Sequence, residues 1–291
     1  MFEGSYVAIV TPFKNGKVDG DALKGLIEFH IENGTNGIVP CGTTGESATL
    51  NHAEHSEVIG IAVNTCNGRI PVLAGTGSNA THEAIELTLS AEKLGADGAL
   101  LITPYYNKPT QEGLYQHFAA IAKATKLPVM LYNVPSRTAI NMLPATVARL
   151  SEIKNIVGIK EASGNLVQVS EIIQSCPPDF SIISGEDALT WPILALGGKG
   201  VISVTANLVP DKFSRLCKAA SEGDVKTARA LHYELMKLND IMFIETNPIP
   251  VKAALALMGR IDNEFRAPLC PPMDASLEKL KSVLKEYSLI P

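Results

Sequence analysis

Eight short apolar, β-branched runs recur between residues 6 and 204, and no other feature restricts the fold as much. They span Tyr6 to Thr11, Gly37 to Cys41, Pro71 to Gly75, Gly98 to Thr103, Pro128 to Asn133, Val157 to Glu161, Phe180 to Ser184 and Gly200 to Val204. Successive runs lie roughly 20 to 33 residues apart, room for one helix and two loops. Between them the apolar period changes to 3.6, as in Asp21 to Glu32, His52 to Asn64, Thr81 to Leu94 and Thr110 to Thr125, several of them opened by Asp, Asn or Thr and closed near Gly. A near-continuous apolar strand such as Gly98-Ala99-Leu100-Leu101-Ile102 requires cover on both faces, which parallel sheets flanked by helices provide. Eight unbroken βα units favour an α/β fold of the (β/α)8 TIM-barrel kind over a doubly wound sheet. The barrel takes residues 1–222. Beyond it, Asp224 to Phe243, Pro250 to Met258 and Asp274 to Tyr287 read as helices with no strand between them, a C-terminal helical domain over 223–291.

Composition narrows the partners. Of 291 residues, 46% are hydrophobic and 19% charged, which excludes disordered and low-complexity classes. Twenty-five Lys and Arg against thirty Asp and Glu leave a net charge of −5, the wrong sign for a phosphate backbone, so no nucleic-acid partner is expected. Five widely spaced cysteines with no C-x-x-C give neither a disulfide framework nor a zinc knuckle. Met1-Phe2-Glu3-Gly4 lacks a basic segment followed by an apolar core, and no apolar run approaches 18 residues. The expectation is a cytoplasmic protein with reduced thiols and no membrane partner.

In such barrels the working residues stand at the C-terminal ends of strands. After the second run comes Gly42-Thr43-Thr44-Gly45-Glu46-Ser47. Two glycines let the backbone aim N–H groups at one point beside two hydroxyls, a seat for a small carboxylate, although an ordinary Gly-rich turn has the same composition. After the fourth run stands Thr103-Pro104-Tyr105-Tyr106, and after the fifth Tyr132-Asn133-Val134-Pro135-Ser136-Arg137-Thr138. Tyrosines at a mouth relay protons and an arginine fork binds a carboxylate twice, but loop tyrosines also pack and most arginines face water. The sixth run, Ile156-Val157-Gly158-Ile159-Lys160-Glu161, holds a lysine inside an apolar strand, whereas nearly all of the other lysines lie in polar helix faces or loops. A lysine pointing into a barrel loses hydration, its amine pKa falls, and it can attack a carbonyl; one facing outward, or paired with a carboxylate, does not. Two further patterns carry less. Gly75-Thr76-Gly77-Ser78-Asn79-Ala80 matches a dinucleotide fingerprint, yet the acidic residue due at the end of the next strand is absent. His52-Ala53-Glu54-His55 fits neither zinc spacing, so no metal is expected.

Taken together, Gly42-Thr43-Thr44-Gly45-Glu46, Tyr132-Asn133-Val134-Pro135, Gly158-Ile159-Lys160-Glu161 and the tail segment Asn247-Pro248-Ile249-Pro250-Val251-Lys252 resemble the pyruvate-dependent class I aldolase family, which includes N-acetylneuraminate lyases and dihydrodipicolinate synthases. The resemblance covers essentially the whole chain. Thr43 and Arg137 resemble the synthase branch, since the lyases usually carry Ser at the first position and lack the arginine. What the resemblance implies is a Schiff base between Lys160 and pyruvate, Tyr132 as general acid and base, and Thr43 linking Tyr132 to a Tyr106 supplied by a partner subunit. It implies further that Thr44 holds the pyruvate carboxylate, Arg137 orients L-aspartate 4-semialdehyde, and the carbonyls of Gly185 and Ile202 line the pocket. No cofactor is implied. A homotetramer, built as a dimer of dimers, is implied, with feedback inhibition by L-lysine bound at Ser47, Ala48, His52, His55, Asn79, Glu83 and Tyr105. A lyase acting on a different aldehyde, and a barrel that only senses pyruvate or lysine, are the alternatives; the second would be expected to lack one of Lys160, Tyr132 or Thr43.

Overall fold

The computed structural model describes residues 2–291. Eight strands form one parallel sheet: β1 (Gly4–Ala8), β2 (Gly37–Val39), β3 (Leu73–Gly75), β4 (Gly98–Ile102), β5 (Val129–Asn133), β6 (Ile156–Glu161), β7 (Ser181–Ser184) and β8 (Gly200–Ser203). β1 pairs with both β2 and β8, and a single bridge, Ile38 to Val72, joins β2 to β3, so the sheet closes on itself as a TIM barrel. Each expected strand is present within a few residues of its expected bounds. The largest shift is in β1, which begins at Gly4 and ends at Ala8 rather than running from Tyr6 to Thr11. Past Ala8 the chain turns to loop partners: Val10 N donates to Asn207 Oδ1 at 3.3 Å and Thr11 Oγ1 donates to the Gly45 carbonyl at 2.6 Å.

Strand alternation explains which residues meet inside. Along β5, Val129 and Leu131 pack outward against the helices while Met130 and Tyr132 join the barrel interior with Tyr6, Leu100, Ile183 and Ile202. The interior is crowded: a Cβ on Gly37 would stand 2.1 Å from the Tyr6 ring. Helices begin where the sequence places caps. Asn51 accepts from Glu54 N at 3.0 Å, and Glu54 accepts in return from Asn51 N at 3.1 Å, a capping box on the helix His52–Cys66.

One element is not among the expectations. Phe13–Lys14 and Lys17–Val18 pair as an antiparallel hairpin around Asn15-Gly16, both at positive φ. The helices Val225–Ile241, Ile249–Leu257 and Asp274–Glu286 lie where tail helices are expected. Their residues Leu231, Leu235, Val251 and Leu284 share one apolar cluster with Leu23 and Val58 of the barrel's outer helices. The tail is thereby fixed against the barrel, and its segment 243–247 reaches the barrel mouth.

Candidate active site

Tyr132 and Lys160 are direct neighbours across the β5–β6 ladder, at the C-terminal ends of both strands. The Lys160 amine stands 4.3 Å from the centroid of the Tyr132 ring. Both ends are fixed from the outer side. Glu161, buried, accepts from Asn133 Nδ2 at 3.1 Å and from Ser163 N at 2.8 Å, and Asn133 Nδ2 also reaches Asn141 Oδ1 at 2.8 Å.

Above them opens a cavity of about 310 Å³, lined by Gly42, Thr43 and Thr44 after β2, Tyr132, Val134 and Arg137 from β5 and its loop, Lys160, Gly185, Glu186 and Val204, and by Phe243, Thr246 and Asn247 of the tail. Lys160 is 6% exposed, and among the described residues no carboxylate stands within 4.0 Å of its amine. Burial pushes that amine down to about 8, against the opposing pull of Asp187 and Glu186. Burial also pushes the Tyr132 phenol up to about 12, while Arg137 and the Thr43 hydroxyl favour its ionised form. Near neutral pH the pair is therefore a poised amine beside a protonated phenol.

The threonine loop is built for an anion. Among the described residues, the N–H groups of Thr43 and Thr44 have no partner in the protein. Thr44 Oγ1 accepts from Asn247 Nδ2 at 3.0 Å, which leaves the Thr44 hydroxyl hydrogen free to donate. Arg137, on the short helix Pro135–Thr138, spends one N–H on the Asn247 carbonyl at 3.1 Å and keeps the rest of its fork. Gly185 is required for space, because a Cβ there would stand 2.7 Å from Ala162 Cβ and 3.1 Å from Lys160 Cε.

Lys160, Tyr132, Thr43, Thr44, Arg137 and Gly185 are thus brought together around one cavity. Ile202 is not among its lining residues; its side chain is buried in the barrel interior, and Val204, just past the end of β8, lines the rim instead. Tyr106 does not reach the cavity either: it is 91% exposed, at a φ of 71°. Ser47, Ala48, His52, His55, Glu83 and Tyr105 line a second cavity of about 490 Å³ that shares Thr43, Tyr132 and Arg137 with the first. Asn79 is not among its lining residues but bonds to one of them, its Nδ2 donating to the Tyr105 carbonyl at 3.2 Å. The two histidines differ in orientation. His52 meets Glu83 at 3.2 Å, whereas His55 is buried with Nε2 2.8 Å from the Gly75 carbonyl. Ser78 and His52, both hydrogen-bonded to Glu83, hold its carboxyl below the usual range.

The model of the dihydrodipicolinate synthetase family matches residues 1–287. The chain belongs to that family. This dihydrodipicolinate synthetase family member is 59% identical, over the whole length of both chains, to the 4-hydroxy-tetrahydrodipicolinate synthase of Citrifermentans bemidjiense. It superposes with a TM-score of 0.98 on a dihydrodipicolinate synthase from Acinetobacter baumannii complexed with pyruvate, at 50% identity and full coverage of both chains. A lysine-bound DHDPS from Cyanidioschyzon merolae gives 0.97 at 43% identity over 99% of each chain. A monomeric dihydrodipicolinate synthase variant gives 0.98 at 45% identity over 99% of this chain and 98% of that one. As a family member the chain is a class I aldolase-type lyase. No described helix is long and apolar enough to cross a membrane.

Sequence reading missed several residues of the site: Glu186, Val204, Phe243, Thr246 and Asn247. For Glu186 the signal was available, since it directly follows Gly185 at the end of a barrel strand. Asn247 stands in the tail segment that carries the family resemblance, but its place in the site has no local signal, because the contact with Thr44 spans 203 positions.

Proposed function

We propose that the chain condenses pyruvate with L-aspartate 4-semialdehyde to give 4-hydroxy-tetrahydrodipicolinate, the first committed step of diaminopimelate and lysine biosynthesis, in the cytoplasm. The observation that carries this reading is Lys160: a buried amine without a carboxylate partner, against Tyr132 and under the open N–H groups of Thr43 and Thr44. The neutral amine adds to the pyruvate ketone and water leaves, giving an iminium. The methyl group then loses a proton to become the enamine carbon that attacks the aldehyde, which regenerates the iminium. The substrate's own amino group, once deprotonated, adds to the iminium carbon, closes the ring and expels the Lys160 amine. Tyr132 donates and retrieves the protons, Thr44 and its loop hold the pyruvate carboxylate, and Arg137 clamps the carboxylate of the aldehyde substrate. The carbonyl of Gly185, which lines the cavity, faces the substrates. No metal or organic cofactor takes part, because the iminium is itself the electron sink.

The exposure of Tyr106 supports a homotetramer, a dimer of dimers in which that phenol enters the partner's site and Thr43 links it to Tyr132. L-lysine acts as feedback inhibitor in the second cavity, with Ser47, Ala48, His52, His55, Asn79, Glu83 and Tyr105 as its surroundings. The lysine-bound relative supports this assignment.

The decisive experiment pairs two measurements. Borohydride reduction with pyruvate leaves a three-carbon adduct on the peptide holding Lys160, and a coupled assay with both substrates shows turnover. Label on another lysine, or no turnover of aspartate semialdehyde, overturns the reading. Sedimentation tests the tetramer, and calorimetric titration with L-lysine tests the inhibitor site.

A further inference from the structure

Among the described residues, Glu186 is the only acidic side chain lining the 310 Å³ cavity, and the chemistry above gives it no task. Its backbone is fixed on both sides by Ser184, whose Oγ donates to the Glu186 carbonyl at 2.8 Å and accepts from Glu186 N at 3.2 Å. Its carboxylate has no hydrogen bond or ion pair with any described residue. The sheet order places it opposite Arg137: Arg137 follows β5, Lys160 closes β6 and Glu186 follows β7. Of the residues lining the cavity, one cation and one anion therefore flank the amine; the adjacent Asp187, which also acts on it, is outside the lining and accepts from Val204 N, Thr205 N and Thr205 Oγ1.

An unpaired carboxylate is costly in a pocket that must accept two carboxylate-bearing substrates, because it repels both. Arg137 and the Lys160 amine offset part of that cost from a distance, and burial beside Asp187 outweighs them; a substrate that brings its own positive charge offsets the rest. Pyruvate has none. The amino aldehyde carries an α-ammonium next to its carboxylate, and such a zwitterionic head is matched by one cation and one anion set apart.

We infer that Glu186 receives the substrate's α-ammonium while Arg137 receives the adjacent carboxylate, so that the cavity selects aldehydes bearing an α-amino group. This rests on the function proposed above and names the residue that sets its aldehyde specificity.

The test compares wild type with Glu186→Gln, using aspartate semialdehyde as substrate and succinate semialdehyde, which lacks the amino group, as competitive inhibitor. The KM for aspartate semialdehyde rises on the order of 10- to 100-fold, the loss of one charge-assisted contact. The inhibition constant of succinate semialdehyde stays level or falls, since a repelling charge is gone. Glu186→Asp gives an intermediate KM. Borohydride trapping of pyruvate on Lys160 is undiminished, because Glu186 holds the amine's pKa up and its removal leaves more neutral amine. An unchanged KM, or equal shifts for both aldehydes, overturns the inference while leaving the proposed function intact. Wild-type inactivity towards aspartate semialdehyde overturns both.

Discussion

Two lysines are buried in this protein, one at the barrel mouth and one at its junction with the tail. Lys160 is 6% exposed and Lys252 0% exposed. Each amine stands 4.3 Å from an aromatic centroid, Tyr132 for the first and Phe13 for the second. Burial pushes both amines below the usual lysine range. The difference is an anion. Lys252 pairs with Glu46, whose side chain is also fully buried and whose second oxygen accepts from Arg266 N at 3.4 Å. Lys160 faces a cavity instead. Burial alone thus makes a lysine neither reactive nor structural; the presence or absence of a carboxylate within ion-pair distance decides it. The two sites are nevertheless connected, because Glu46 belongs to the loop that carries Thr43 and Thr44. Lys252 clamps that loop to the helix Ile249–Leu257.

The largest contrast comes from removing each amine. Lys160→Met lowers turnover on the order of 10⁴-fold, a loss of roughly 5 kcal/mol of transition-state stabilisation. Its melting temperature holds or rises, since a desolvated amine has been replaced by an apolar chain of similar length. Lys252→Met leaves Glu46 buried without a cation and costs about 3–5 kcal/mol of folding stability. The double variant Lys252→Met with Glu46→Gln recovers part of that loss, because the uncompensated charge is gone. Denaturant melts and the coupled assay on all three variants check the set. A folding collapse in Lys160→Met, or a Lys252→Met variant with wild-type stability, breaks the comparison.

The same pair shows what the sequence could disclose. Lys160 was legible because a charged residue inside a β-branched run has few places to point. Lys252 was equally legible in principle, as the single charge in the apolar helix Ile-Pro-Val-Lys-Ala-Ala-Leu-Ala-Leu, 249–257. Reading nearly every lysine but Lys160 as lying in polar faces or loops overlooked it. The strands and tail helices were visible through their periods, and the Asn15-Gly16 turn of the hairpin is a signal that could have been read. The pairing of Lys252 with Glu46, and of Asn247 with Thr44, was not readable, since each joins positions more than two hundred residues apart. A local pattern locates an element, but it does not say which distant side chain closes against it.

A smaller effect tests the room around Lys160. Gly185→Ala places a methyl group 3.1 Å from Lys160 Cε and 2.7 Å from Ala162 Cβ, so the lysine chain must shift. Overpacking of this kind costs about 1–3 kcal/mol. The expected result is slower pyruvate trapping, by roughly tenfold or more, with only a modest loss of stability. Trapping at the wild-type rate would mean that the lysine chain moves freely and that the site is less pre-organised than its packing indicates.

The smallest effect is the pH dependence, and it separates the two lysines without any mutation. With the Lys160 amine near 8, about a tenth of it is neutral at pH 7 and about nine-tenths at pH 9. The rate of pyruvate trapping therefore rises about tenfold over that interval and then levels off, whereas an unperturbed lysine, near 10.4, would still be climbing. Lys252, held by Glu46, contributes no adduct at any pH in the range. Stability carries the matching signature. Between pH 8 and about 10.4 the unfolded chain binds more protons at this lysine than the folded chain does, so folding stability gains with rising pH across that window. Below pH 8 the cost of burying the charged amine is present in full and stays constant. Lys160→Met removes this contribution, so the difference between the two stability curves isolates it from every other titrating group. A trapping rate with no plateau by pH 9.5, together with parallel stability curves, would show that Lys160 titrates as an ordinary surface lysine and that its burial has no chemical consequence.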